Sequence, residues 1–184
     1  MKADNETYRK VYSILDAASP LKHDCGSLCG SVCCKGGSVP DEELYIYLLP
    51  GEMEFLKEQG ADIELVRRES RFHYLPHSWG KHFYTAICRG PENCPRSLRP
   101  IQCRTFPLEP HMERSGELKM IYCDIDLPYE CPLISKKMVL DEKYVYAIYE
   151  AWHILIEDDL IRDLVRMDSA GRKKYDVYPY IHES

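Results

Sequence analysis

The sequence predicts a small α+β domain with irregular cysteine-rich loops, short strands and a long C-terminal helical segment. Three observations support this. Apolar residues recur at helical spacing near both ends of the chain, short β-forming runs lie between them, and glycine- and proline-rich stretches carry most of the cysteines. At 184 residues and 45% hydrophobic composition, the chain has enough apolar material for one domain, residues 1–184, of which residues 139–184 are mainly helical.

The first predicted element is an amphipathic helix over residues 5–18. Its apolar side chains recur every three or four residues, and the pattern stops at Ser19-Pro20. The following loop contains Gly26, Gly30, Gly36 and Gly37, which favour irregular backbone over a helix. A helix there would place Cys25, Cys29 and Cys33 on one face.

The middle of the chain reads as short strands and turns. Residues 44–49 form a β-rich apolar run that ends at Pro50-Gly51, and one or two helical turns follow over residues 52–59. Residues 62–68 and 82–88 are predicted strands. Residues 106–112 and 117–123 are expected to pair through the turn at residues 114–116.

A long apolar stripe predicts the C-terminal helix. It begins after Asp141, includes Trp152, and continues after a predicted break at residues 157–159 to a stop at Gly171. The aromatic residues of this stripe are more consistent with core packing than with a cofactor platform. His153 lies within this stripe and is likewise expected to be a core residue.

The charge and the hydropathy of the sequence limit the classes of partner that the protein is expected to bind. The net charge of −6 argues against a broad nucleic-acid surface, and no run approaches the ~20 apolar residues of a membrane helix. The polar N-terminus lacks the apolar segment of a secretory signal, so a reduced, cytoplasmic protein is expected. A metal ion is the expected partner, and the pattern leaves any protein partner open.

The nine cysteines form two groups, four within residues 25–34 and five within residues 88–131. Thiols this dense in a glycine-rich stretch indicate ligands for a soft or borderline metal, zinc or iron. A disulfide scaffold is disfavoured because nine is odd and the chain is large enough to fold without cross-links. Cys123 alone could equally be a small buried hydrophobe.

The spacing does not choose the metal. Cys-x3-Cys-x3-Cys-Cys differs from zinc-ribbon knuckles and from the cysteine run of bacterial ferredoxins. In extended backbone Cys33 and Cys34 point apart, so both bind metal only if the loop bends sharply or two centres lie close together. Cations beside the cysteines would offset thiolate charge, although each could equally be a solvated surface group: Lys35, Arg89, Arg96, Arg99 and Arg104.

Two elements resemble the zinc- or iron-chelating cysteine-cluster family. The first is the Cys-Gly-x-x-Cys-Cys core that starts at Cys29, within a lengthened form of the Cys-x2-Cys-x2-Cys-Cys motif. The second is Arg99-Pro100-x-x-Cys103-Arg104-x-Phe106-Pro107, which matches fully. The resemblance covers residues 25–107 and implies seven metal ligands, with two further cysteines as second-tier candidates: Cys25, Cys29, Cys33, Cys34, Cys88, Cys94 and Cys103, then Cys123 and Cys131.

The cluster also resembles that of flagellin lysine methylase, where the resemblance implies an iron–sulfur centre, such as a 4Fe–4S cluster, serving protein modification. Three functions therefore stay open: a metal-binding protein, an iron–sulfur-dependent modifying enzyme such as a lysine N-methylase, and a structural zinc module for protein interaction. Hydrolase, nucleotidase and dehydrogenase motifs are absent from the sequence.

Two other sets of side chains could contribute to a metal site. His73, His77 and His82 could complete it or act as bases, although ordinary surface histidines explain them more simply. Asp124 and Asp126 flank the Cys123 region and could accept hydrogen bonds there, although turn chemistry explains them as well.

Overall fold

The computed structural model describes residues 2–35 and 44–179. Gly36 and Gly37 of the cysteine loop, and the last five residues of the predicted C-terminal segment, lie outside these ranges. Within the described ranges there are eight α-helices: α1 (Asn5–Asp16), α2 (Gly26–Cys29), α3 (Val32–Lys35), α4 (Glu52–Glu58), α5 (Ile101–Thr105), α6 (Pro132–Ser135), α7 (Glu142–Leu155) and α8 (Asp159–Gly171). The same ranges contain five strands: β1 (Tyr45–Tyr47), β2 (Leu65–Glu69), β3 (His82–Ile87), β4 (Leu108–Met112) and β5 (Leu118–Tyr122). The prediction of a small α+β domain with a helical C-terminal segment is confirmed.

The core lies between helices α1 and α7. Asp4 caps α1 by accepting a hydrogen bond from the Thr7 N–H, and the buried face of the helix follows the predicted spacing. Asp141 caps α7 in the same way through Lys143. The two helices bury complementary apolar stripes, Tyr8, Val11 and Leu15 on α1 and Tyr144, Ile148, Trp152 and Leu155 on α7.

Two small antiparallel sheets complete the domain. The first has the strand order β1-β3-β2, so β3 is central and its residues Thr85 to Ile87 are buried. The second is the predicted hairpin β4–β5, in which Leu108 pairs with Tyr122. Helix α8 packs against β4, and the predicted break before it is present, because Asp158 caps α8 after α7 has ended at Leu155.

The cysteine loop differs from the sequence prediction. Instead of wholly irregular backbone it contains two single helical turns, α2 and α3. Gly30 and Ser31 lie between the turns with φ of +66° and +58°, which ends α2 and redirects the chain before α3 begins. The glycine content therefore correctly predicted an interruption at Gly30, but the prediction of irregular backbone was wrong for α2 and α3 on either side of it.

None of the helices in residues 2–35 and 44–179 is long and apolar enough to cross a membrane.

Candidate metal centre

Five cysteines from both sequence groups line one cavity of about 420 Å³: Cys33, Cys34, Cys88, Cys94 and Cys103. Its remaining wall comes from the first sheet and the segments beside it, including Ile46, Ile63, Ala86 and Ile87. The fold thus brings together two cysteines of the first group and three of the second, which lie more than fifty residues apart in the sequence.

Helix α3 supplies the vicinal pair. The Cys33 and Cys34 Sγ atoms lie 4.0 Å apart. Sulfurs bound to one tetrahedral zinc at 2.3 Å are about 3.8 Å apart, so this separation is close to that of two thiolates on one ion. Because the pair lies on a helical turn rather than in extended backbone, both side chains reach the same cavity.

The end of β3 and the proline-rich segment after it supply the next two thiols. The Cys88 N–H donates to the Leu44 carbonyl at 2.8 Å, which extends the β1–β3 pairing by one residue. Cys94 follows a 3-10 turn at Pro91–Asn93, and the Asn93 side chain donates to the Arg89 carbonyl at 2.7 Å. These hydrogen bonds fold the segment back so that Cys94 lines the same cavity as Cys88.

Helix α5 supplies Cys103. Pro100 stands immediately before the helix, where its fixed φ and missing N–H are tolerated. The Gln102 side chain donates to the Tyr47 carbonyl at 2.7 Å, and the Tyr144 hydroxyl donates to the Phe106 carbonyl at 2.6 Å. These contacts join α5 to β1 and to the core helix α7.

Arg99 places a positive charge beside the thiols of this cavity. Its side chain lines the cavity and donates from Nη2 to the Cys94 carbonyl at 3.2 Å, while its buried Nε makes no hydrogen bond among the described residues. The Cys33 thiol contact, followed by the charge of Arg99, lowers the pKa of Cys34 to about 6. Cys34 is therefore the thiol most readily ionised near neutral pH.

Cys88, Cys94 and Cys103 hold their protons more strongly than Cys34. Removal from water, followed by the charge of Cys34, raises the pKa of Cys88 to about 11. Removal from water also raises the pKa of Cys94 and, to a larger extent, that of Cys103, whose neighbours Cys88 and Cys94 add to the effect. Several negative charges in one cavity are unfavourable by themselves, and a bound cation would relieve that repulsion.

The remaining four candidate ligands do not line this cavity. Burial, followed by the charges of Asp24 and Cys131, raises the pKa of Cys25. The charge of Cys29 acts on both Cys25 and Cys131. Cys123 lines a different cavity, with Asp124 and Lys137. All nine cysteines are free thiols in the structure.

Of the cations and histidines noted in the sequence, some line the cavity and others lie elsewhere. Arg89 lines the cavity and pairs with Glu64 at 2.6 Å, whereas Arg96 bonds the Ala18 carbonyl and Arg104 lies over the Tyr12 ring. His73 packs edge-on against Phe83, with ring centroids 4.8 Å apart. The lining of the cavity includes none of the three histidines.

Among residues 2–35 and 44–179, no three His, Cys, Asp or Glu side chains converge closely enough to hold one ion. Five soft donors beside a guanidinium nevertheless match the ligand chemistry of zinc and of iron–sulfur centres.

Sequence reasoning missed the apolar wall of the cavity and the buried Glu52. Ile46, Ile63 and Ala86 lie on different strands or loops, so no local pattern connects them with the cysteines. Glu52 reads in the sequence only as the start of a short helix, yet it is completely buried. A buried carboxylate has no signature in a single sequence.

Comparison of the chain with protein-family models, with curated proteins and with solved structures finds no match.

Proposed function

We propose that the protein binds zinc or iron through thiolates in the cavity lined by Cys33, Cys34, Cys88, Cys94 and Cys103. The observation that carries the proposal is the convergence of these five thiols from three separate parts of the chain. Helix α3, the end of β3 with its following turns, and helix α5 each contribute to the set. The resemblance of the two cysteine motifs to a chelating family supports the same chemistry.

The cavity is larger than a single metal ion. A water molecule has a share of about 30 Å³ in the liquid, so a cavity of about 420 Å³ has room for many times the volume of a single ion. A structural zinc site is closed by four ligands, whereas a catalytic or cluster site leaves space beside the metal. The volume thus leaves room for an iron–sulfur cluster, or for an ion with a further ligand, and it does not decide between these centres and a structural zinc module.

The volume of the cavity is also compatible with the second candidate function, an iron–sulfur-dependent modifying enzyme. Such an enzyme needs room for a substrate group beside the metal, and the cavity, which apolar side chains line together with the thiols, has such room. The resemblance to the cluster of flagellin lysine methylase favours this candidate as well.

Metal analysis of anaerobically purified protein tests the proposal. We expect zinc or iron at near-stoichiometric content, and broad visible absorption if the metal is an iron–sulfur cluster. Cys34→Ser and Cys103→Ser should each weaken metal binding by more than ~100-fold, since losing a ligand should exceed the 10–100-fold typical of losing an outer hydrogen-bond partner. Cys123→Ser is the matched control because Cys123 lines another cavity.

Two results would reject the proposal. One is wild-type protein that holds neither zinc nor iron and does not take up either metal anaerobically. The other is unchanged metal content in both cavity variants, which would show that the ligands lie elsewhere in the chain.

A further inference from the structure

Glu52 is a carboxylate at the start of helix α4 with no exposed surface. Its two oxygens accept three hydrogen bonds from separate parts of the chain. Oε1 accepts from the Ile101 N–H at 2.7 Å and from the Tyr12 hydroxyl at 2.9 Å, and Oε2 accepts from the Leu49 N–H at 2.9 Å. One side chain thus joins helix α1, the segment after β1 and helix α5.

The bond to Ile101 acts on the helix that carries Cys103. Ile101 is the first residue of α5, a helix of five residues, and its N–H has no partner within the helix. Such a short helix has little stability of its own, so its position depends on contacts with the rest of the protein. Cys103 lies two residues after Ile101 and lines the thiol cavity.

The neighbouring contacts hold other parts of the same segment. Gln102 joins α5 to β1 through the Tyr47 carbonyl, and Tyr144 holds the carbonyl of Phe106 beyond the end of the helix. Arg104 lies over the Tyr12 ring at 5.0 Å from its centroid. Of these contacts, the Glu52 bond is the one made to the backbone at the start of α5.

We propose that Glu52 is a positioning residue of the metal centre: by accepting the Ile101 N–H, it holds α5 where the Cys103 thiol can reach the metal. The inference rests on the proposed function, since it assumes that Cys103 is a ligand. Glu52 itself does not line the cavity and acts through the backbone of α5.

Cobalt titration of the apoprotein under anaerobic conditions tests this role. Bound Co²⁺ is detected by its thiolate-to-cobalt charge-transfer absorption, and affinity is measured by competition with a chelator. The loss of a buried acceptor for a backbone N–H predicts that Glu52→Ala weakens Co²⁺ binding roughly tenfold or more. The charge-transfer intensity per cobalt should also fall, because fewer thiolates reach the ion.

Two controls separate positioning from general stability. Tyr12→Phe removes a different donor to the same carboxylate and leaves the Ile101 bond in place, so we expect its Co²⁺ affinity to stay within about twofold of wild type. Ile161→Ala opens a cavity on helix α8 at a completely buried position, and it should lower stability while leaving the cobalt spectrum unchanged.

Glu52→Met provides a second test in case Glu52→Ala does not fold. Methionine has a similar length and fills the space of the carboxylate, but it offers the Ile101 N–H no comparable acceptor, so we expect an affinity loss of roughly tenfold. Wild-type affinity and spectrum in either folded Glu52 variant would overturn the inference. So would an equal loss in Ile161→Ala. If wild-type protein itself shows no thiolate-to-cobalt absorption, the proposed function fails first.

Discussion

The ion-pair cluster around Arg172 predicts that Glu109 contributes more to the stability of the fold as the pH falls from about 8 to about 5. Arg172 is 7% exposed at its side chain and contacts two carboxylates, Glu109 at 2.7 Å and Asp124 at 3.2 Å. The charge of Arg172 also acts on Asp168. One guanidinium therefore serves three carboxyl groups in a largely buried setting, and this leaves an excess of negative charge when all three are ionised.

The pKa values give the sign and the size of the effect. Burial raises the pKa of Glu109 from 4.5 to about 7, with Arg172 opposing and Asp124 adding to it, and burial raises the pKa of Asp168 from 3.8 to about 6. A carboxyl with a raised native pKa stabilises the fold fully below its unfolded pKa, and this stability is lost as the pH rises through the native pKa. For Glu109 alone the change from 4.5 to about 7 corresponds to at most about 3 kcal/mol. Because the groups share one guanidinium, we expect about 1–2 kcal/mol.

Urea unfolding of Glu109→Gln between about pH 5 and about pH 8 measures this contribution. Wild type should lose about 1–2 kcal/mol of unfolding free energy across this interval relative to the variant, because glutamine does not titrate. Glu117→Gln is the matched control, since Glu117 is 63% exposed at its side chain and should change the profile little. Burial lowers the pKa of His111, and this makes the fold less stable as the pH falls. The His111 effect is present in wild type and in both variants, so it cancels in the difference. A difference profile that is flat, or that rises with pH, would refute the reasoning.

Two further predictions concern the backbone and the metal. Gly51 has φ of +91°, and a Cβ there would lie 2.8 Å from the Ala3 carbonyl oxygen. Gly51→Ala should therefore lower the unfolding free energy by about 2–4 kcal/mol. Gly60→Ala is the control and should lower it by about 1 kcal/mol, because Gly60 also has a positive φ but a Cβ there would meet open space. Equal losses in the two variants by urea unfolding would contradict this. Zinc affinity should rise with pH because zinc displaces protons from thiols such as Cys88, whose pKa burial raises to about 11. Calorimetry in two buffers of different ionisation enthalpy should detect this proton release, and its absence would count against the raised thiol pKa values.

Elements with strong local periodicity were predictable from the sequence. Helix α1 begins after the Asp4 cap and ends before Ser19-Pro20, and α7 begins after the Asp141 cap, because capping groups and apolar stripes are local signals. The β4–β5 hairpin follows from two β-rich runs joined by a turn. In each case the residues that decide the structure lie within about fifteen positions of one another.

The cavity could not be predicted in this way, because its members are brought together by tertiary contacts. Cys34 and Cys103 meet across a long stretch of chain, and the position of α5 depends on Glu52 and Gln102, whose partners lie on other elements. The motif resemblance indicated that the two groups of cysteines share a site. Of the seven cysteines that the resemblance implies as ligands, five line the cavity and Cys25 and Cys29 do not, and the resemblance gave no indication of the apolar residues in its wall.

The vicinal pair illustrates how local conformation decides the chemistry that a motif can perform. Adjacent side chains on a strand point to opposite faces, so two adjacent cysteines in extended backbone would both bind metal only through a sharp bend or two nearby centres. On the helical turn α3, successive side chains are rotated by only about 100°, and the two sulfurs come within 4.0 Å. Gly30 and Ser31 have positive φ and end α2, so that α3 begins as a separate helical turn. The same segment thereby directs both thiols into one cavity, and two metal centres are not needed to account for the paired cysteines.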